Sequence, residues 1–348
     1  MAILELNDLV VSYSTDRGEA HAVDGVSLTV EPVQHVGVIG ESGSGKTTLA
    51  RALVGVLPAN ARIVSGEILF KGRDVLTLSR RERRELRWKE IATIPQASMD
   101  SLDPVRRVGR QLEEILTVRG SHGRRAARSR AVDLFELVGL PAEQLRRYPH
   151  EFSGGMKQRA IIAMALALQP SLLVADEPVT ALDVLVQDQV LAVFKRLQEE
   201  LDLTVLLITH DVSVVAQVCD TVAVMYAGRL VEQATTEAFF ETPCHPYSLG
   251  LQKAFPNVFR PDEVLTSIEG YPPDLVEPPS ACRFAPRCPF AQRRCEEVDP
   301  VLESVAPGHR AACLRSGEMD VLRPLADDPA TWLGVPAATE PAVTRSIP

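Results

Sequence analysis

The sequence predicts an α/β fold: a mostly parallel sheet with an antiparallel lobe at its start, an inserted helical segment and a small cysteine-bearing C-terminal extension. Three observations carry that expectation. Val36 to Ile39 reads as a buried strand; it runs into Gly40-Glu-Ser-Gly-Ser-Gly45-Lys46-Thr47 and then into a helix-like stretch. That strand–loop–helix context confirms a G-x-x-x-x-G-K-[ST] phosphate loop. A second apolar run, Leu172 to Ala175, ends in Asp176 and Glu177, as a central parallel strand does at its carboxyl end. Finally, "ACRFAPRCPFAQRRC" at 281–295 holds three of the six cysteines.

The length, 348 residues, suggests two domains, or three small ones, and a hydrophobic content of 45% describes an ordinary globular protein. The longest apolar runs, such as "AIIAMALAL" at 160–168, fall far short of the ~20 residues of a membrane span. The opening "MAILELNDLVVSYS" alternates like a strand and lacks the basic and apolar regions of a signal peptide. A cytosolic location is therefore expected, where stable disulfides are rare. The net charge of −9 argues against a nucleic-acid partner. Two basic runs, "RRERRELRWK" (80–89) and "RRAARSR" (124–130), read as solvated helix faces.

The loop chemistry follows from residue type. Glycines let backbone N–H groups curl around phosphate oxygens, and the following helix N-terminus favours negative charge. Gly40, Ser42, Gly43, Ser44, Gly45, Lys46, Thr47 and Thr48 are the expected phosphate-binding set. Lys46 would reach the β- and γ-phosphates, and the Thr47 hydroxyl would ligate Mg²⁺. No guanine-reading N-K-x-D motif is present. Asp176 suits a Mg²⁺-bound water. Glu177 suits the base that polarises the attacking water, a role worth ~10²–10⁴ in rate.

"FSGGMKQR" at 152–159 lies some twenty residues before the acidic strand. With it the chain resembles the ATP-binding-cassette ATPases, whose signature is usually L-S-G-G-Q. Phe152 and Met156 depart from that pattern, while Ser153, Gly154 and Gly155 keep it. The resemblance implies that these three bind the γ-phosphate of ATP held by the opposite subunit. It implies that Tyr13 stacks on adenine, that Gln96 in "TIPQASMDSLDP" touches Mg²⁺ and senses the membrane partner, that Asp183 in "TALD" lies at the dimer seam, and that His210 in "LLITHD" contacts the γ-phosphate. It also assigns 1–97 and 152–235 to the ATP-binding core, 98–151 to a helical subdomain facing a permease, and 236–325 to the extension. Where many relatives have Gly-Glu before the P-loop strand, this chain has Val33-Gln34; a local turn change without loss of activity is expected. From about 326 to 348 the text is Ala- and Pro-rich with few large apolar residues, the composition of a flexible tail.

"SLDPVRRVG", "YPHEFSGGMKQR" and "TPCHPYSLGL" followed by clustered cysteines narrow the resemblance to the oligopeptide/dipeptide/nickel importer ATPases, over about residues 3–315. Met156 is more like the first of the two unlike ATPases of such importers. The cysteine spacing is C-x₅-C-x₆-C-x₁₇-C, for Cys282, Cys288, Cys295 and Cys313. Four thiolates suit either an iron–sulfur cluster or a tetrahedral Zn²⁺. The family resemblance implies a four-iron four-sulfur cluster, with unliganded thiols as a third reading; His309, four residues before Cys313, is an alternative ligand. Cys219 and Cys244 stand alone in the sequence. Such a group would staple a Pro-rich extension with little core of its own.

The function expected is the ATPase subunit of an importer of short peptides, at the cytoplasmic face of the membrane, using ATP and Mg²⁺. Its expected partners are a second, unlike ATPase subunit rather than an identical one, two permease subunits and an extracytoplasmic solute-binding protein, with no nucleic acid. Import of nickel chelates or oligosaccharides, and a soluble cassette acting on nucleic acid, are the alternatives. A silent regulatory subunit is disfavoured because every catalytic position is filled.

Overall fold

The structure is a computed structural model that describes residues 1–180, 182–254 and 266–333. Among them run the strands β1 (Leu4–Thr15), β2 (Gly18–Val30), β3 (His35–Ile39), β4 (Ala61–Phe70), β5 (Arg73–Asp74), β6 (Ile91–Ile94), β7 (Leu172–Asp176), β8 (Thr204–Ile208), β9 (Thr221–Tyr226), β10 (Arg229–Thr235), β11 (Glu303–Ala306) and β12 (His309–Ala311). The chain divides into two compact units. The first comprises Met1–Leu4, Thr29–His35 and Leu69–Thr209; the second comprises Glu5–Leu28, Val36–Ile68 and the residues from His210 onward.

In the first unit β6, β7 and β8 form a parallel ladder, with Ile91 opposite Leu172, Leu172 opposite Thr204 and Asp176 opposite Ile208. Every residue of β7 and β8 is buried, which is why their text, apart from Asp176 and Thr204, is a run of apolar residues rather than an alternation. The helices Val108–Glu114, Arg124–Leu137, Gly154–Ala165 and Val184–Leu201 belong to this unit. Arg124–Leu137 buries Ala127, Ala131, Leu134 and Phe135, a single stripe at helical spacing. Arg124, Arg125 and Arg128 stay outside, as a solvated face requires. The other basic run forms the helix Arg80–Lys89, started by a capping box between Ser79 and Glu82.

In the second unit β1 lies between β2 and β4, with β1 and β2 joined by a two-residue turn. β3 pairs in parallel with β9, Val36 opposite Thr221. β9 pairs antiparallel with β10, and β10 in turn with β12, Glu232 opposite Ala311. β11 completes this edge beside β12. The extension therefore adds strands to the sheet. It also shares one core with it: Ile39, Val222, Val224, Tyr226, Phe284, Phe290 and Trp332 belong to one buried cluster.

Two expectations change here. The extension is not a segment short of core, because its aromatic side chains sit in the core of the second unit. Nor does order end at 326. The helix Met319–Ala326 is followed by a turn at Pro329–Trp332, and Trp332 is 1% exposed, its indole Nε1 donating to Ala326 O at 3.0 Å. One large aromatic residue supplies the burial that the surrounding composition lacks. Residues 334–348 of the expected tail lie outside the described residues.

Candidate functional site

The phosphate loop belongs to the second unit. Gly40, Gly43 and Gly45 have φ of 150°, 78° and 102°, a region closed to most side chains. Space is equally restrictive: a Cβ on Gly40 would lie 2.1 Å from Met225 O, and one on Gly45 would lie 2.0 Å from Ala22 O. Gly45 caps the helix Lys46–Val54 without a side-chain hydrogen bond, and the N-terminus of a helix is where N–H groups face a bound phosphate. Lys46 is 5% exposed. Its ammonium donates to Gly40 O at 2.7 Å, Glu41 O at 2.8 Å and Ser44 Oγ at 3.4 Å. A buried cation in a ring of backbone dipoles is equipped to bind a polyphosphate.

Tyr13 belongs to the second unit as well. Its ring is 2% exposed and packs with Ala20 and Ala22 against Leu275 and Val276 of the extension. Its hydroxyl lies 3.2 Å from Thr48 Oγ1. His210 also belongs to the second unit; it is exposed beside Asp211, which caps the helix Val212–Val218.

The first unit gathers the other expected groups. Asp176 ends β7 and is 6% exposed. Glu177 follows with a left-handed φ of 50°, and its N–H donates to Ile208 O at 2.8 Å. Its Oε2 accepts from Gln96 Nε2 and from Thr180 Oγ1, each at 3.1 Å. Two donors thus fix one carboxylate oxygen. Ser153 caps the helix Gly154–Ala165 by accepting from Met156 N, and Asp183 caps Val184–Leu201 by accepting from Val186 N. Both signature glycines are therefore in the first turn of a capped helix, where N–H groups point outward. The reading of the sequence passes over the buried bond from Ser98 Oγ to Gln158 Oε1, 3.0 Å, because sixty residues separate the partners.

The four cysteines of the extension lie in the second unit: the thiol of Cys288 feels the charge of the other three, that of Cys282 the charge of Cys295, and that of Cys313 the charges of Cys282 and Cys295. No disulfide joins any of the six. Burial pushes the thiols of Cys282 and Cys288 up, and that of Cys313 up to about 12. Backbone N–H groups of Phe284 and Ala285 point at Cys282 sulfur, that of Phe290 at Cys288, and Arg315 N lies 3.3 Å from Cys313 Sγ.

His309 is drawn elsewhere. Its Nε2 is 2.6 Å from Glu232 Oε1, and its Nδ1 is 4.0 Å from Cys244 Sγ. Cys244 and Glu232 raise its pKa to about 9 despite burial. The residue expected as an alternative metal ligand thus belongs to a buried pair with β10, and Cys244 does not stand alone. Arg283 and Arg287, between the cysteines, also escape the sequence reading; their acidic partners are 259 and 246 residues away.

Comparison with known proteins agrees with this geometry. The ABC transporter family model matches residues 23–180, and the model of the oligopeptide/dipeptide transporter C-terminal region matches 231–295. A probable peptide ABC transporter ATP-binding protein of Sinorhizobium fredii is 45% identical, over 91% of this chain and 96% of that protein. The oligopeptide transport ATP-binding protein of Bacillus subtilis is 44% identical, over 88% and 87%. The dipeptide transport ATP-binding protein of Escherichia coli is 40% identical, over 90% and 96%. Among solved structures, a dimeric ATP-binding cassette in a post-hydrolysis state with ADP and Pi aligns with a TM-score of 0.60 at 25% identity, over 67% of this chain and 98% of that one. Among the described residues no helix is long and apolar enough to cross a membrane.

Proposed function

This chain belongs to the ABC transporter family, in the branch of oligopeptide and dipeptide transport ATP-binding proteins, and from that premise we propose that it binds and hydrolyses ATP to energise uptake of short peptides. The observation that carries this reading is similarity over nine-tenths of the chain that includes the peptide-transporter C-terminal region.

In this reading Gly40 to Thr48 hold the phosphates and Thr47, Gln96 and Asp176 serve Mg²⁺. Glu177 orients the attacking water and His210 contacts the γ-phosphate. The geometry of Glu177 supports its part: a carboxylate with one oxygen fixed by Gln96 and Thr180 has a defined direction for the other. Ser153, Gly154, Gly155 and Asp183 act on the nucleotide of a second cassette, since one cassette cannot complete a site of this type. That second cassette is an unlike subunit; two permease subunits and an extracytoplasmic binding protein complete the importer, and this chain sits on the cytoplasmic face. Glu177→Gln in the assembled transporter is expected to leave ATP binding intact and to slow hydrolysis by at least ~10²-fold; unchanged turnover would remove Glu177 from the base role.

Cys282, Cys288, Cys295 and Cys313 are proposed to hold a four-iron four-sulfur cluster. The donor set supports it: burial raises the thiols of Cys282, Cys288 and Cys313, which favours a bound cation as the partner of their charged form, and backbone N–H groups stand ready for these three sulfurs. When bound, the cluster would supply metal–thiolate bonds whose free energy adds to folding. About four iron and four acid-labile sulfide per chain, lost in Cys288→Ser, are expected for protein purified without oxygen. One zinc without sulfide would replace the cluster with a zinc site.

A further inference from the structure

The second residue of the phosphate loop is gripped by the cysteine segment. Arg287 donates from Nη1 to Glu41 Oε2 at 2.7 Å and from Nη2 to Glu41 Oε1 at 2.9 Å. This is the two-pronged geometry that makes arginine–carboxylate pairs strong. Arg287 is 3% exposed, and its remaining donors are also engaged: Nε with Glu269 O at 2.9 Å, Nη2 with Ile268 O at 3.2 Å, and Nη1 with Tyr226 Oη at 3.3 Å. Glu41 is held from its backbone as well. Its N–H donates to Tyr247 Oη at 2.8 Å, and its carbonyl accepts from Lys46 Nζ at 2.8 Å. Tyr226, Tyr247 and Phe284 pack together in tilted and edge-on contacts, with centroids 4.6–5.3 Å apart.

Arg283, five residues before Cys288, does the same on the neighbouring side. It ion-pairs with Asp24 and donates to Ala227 O, while Gly228 N donates to Ser44 O at 3.0 Å. Both arginines of Cys-Arg-Phe-Ala-Pro-Arg-Cys thus reach the frame of the phosphate loop.

From this geometry we infer that Arg287 is a positioning residue for the nucleotide: it fixes Glu41, and through it the loop and Lys46, and it cancels a carboxylate that would otherwise stand beside the incoming polyphosphate. The inference rests on the ATP-binding reading of the loop. Neither function requires Arg287 to touch ATP. An ordered loop spends less of its binding free energy on becoming ordered, and removing an uncompensated like charge near a phosphate chain favours binding. The cysteine segment and the phosphate loop are then mechanically one piece, so disturbance of the cysteine site should be felt as weakened nucleotide affinity.

The test is affinity of the full chain for a fluorescent ATP analogue, with KM and kcat for ATP in the assembled transporter. Arg287→Met is expected to raise Kd and KM by about 10-fold or more while kcat changes little. Adding Glu41→Gln to Arg287→Met removes the unpaired carboxylate and is expected to recover affinity to within about 3-fold of the parent. A purely structural role, in which the extension merely comes loose, is not repaired by that second change. Unaltered affinity in Arg287→Met, or no recovery in the double variant, overturns the inference. Should Arg287→Met fail to fold, Arg287→Lys decides: it keeps the cation but not the fork, so a loss of about 3-fold is expected and equal affinity overturns the idea. If the parent chain itself binds no ATP, it is the proposed function that fails.

Discussion

Val33 shows how one residue can fold against its own preference. Its φ is 63°, a conformation glycine adopts freely and a β-branched residue only under strain. The turn into β3 is held by Val33 N to Thr204 Oγ1 at 2.9 Å and Gln34 N to Glu31 O at 3.3 Å. The strain is borne locally. Val33→Gly is therefore expected to stabilise the protein by roughly 0.5–1 kcal/mol, the relief of strain exceeding the extra chain entropy of glycine. Urea denaturation monitored by circular dichroism reads this directly, and an unstable Val33→Gly would mean that the turn is not strained. Glu177 adopts a similar left-handed backbone, φ 50°, at a position where strain accompanies a proposed catalytic role.

Among the elements, two contacts decide more than their neighbours. The helices Gly154–Ala165 and Val184–Leu201 approach so closely that a Cβ on Gly155 would lie 2.2 Å from Val186 Cγ1. Gly155→Ala is expected to destabilise by about 1–3 kcal/mol through overpacking, and Val186→Ala in the same chain to recover much of it; thermal unfolding of both variants checks the pair. The second contact joins β12 to β10 through His309 and Glu232. His309 titrates near 9, above its ordinary 6.5. A raised histidine pKa stabilises fully below the unfolded value and loses that stabilisation as pH rises through the folded one. Stability should thus fall by roughly 1–3 kcal/mol between about pH 6.5 and 9. Chemical denaturation across that window measures it, and in His309→Gln this part of the slope should vanish.

For the whole molecule, the extension and the nucleotide-binding second unit behave as one folding block because they share a core. Trp332 closes that core, 1% exposed and 6.3 Å edge-on from Phe290. Trp332→Ala is expected to cost about 3–5 kcal/mol and to lower the melting temperature of a single transition. Two separate transitions, with only one of them moved, would show instead that the extension folds by itself.

Local chemistry was legible in the linear text. The phosphate loop, the strands β3 and β7 and the acids at the end of β7 are each encoded within a dozen residues, because hydrogen bonds to near neighbours and hydrophobic periodicity dictate them. The cysteine group was visible for the same reason, as a spacing. Contacts between distant residues were not. Tyr13 beneath Leu275 and Val276, His309 on Glu232, Arg287 on Glu41 and Trp332 in the core all join positions far apart in the chain. Nothing local marks such pairs: a tyrosine, an arginine or a tryptophan reads the same whether it faces solvent, a base or another strand. Sequence alone determined that this chain carries the groups of a nucleotide-hydrolysing cassette with a four-cysteine extension. Only the tertiary structure decided that the extension is built into the nucleotide-binding core, because burial and charge pairing between remote segments are settled when the chain closes on itself.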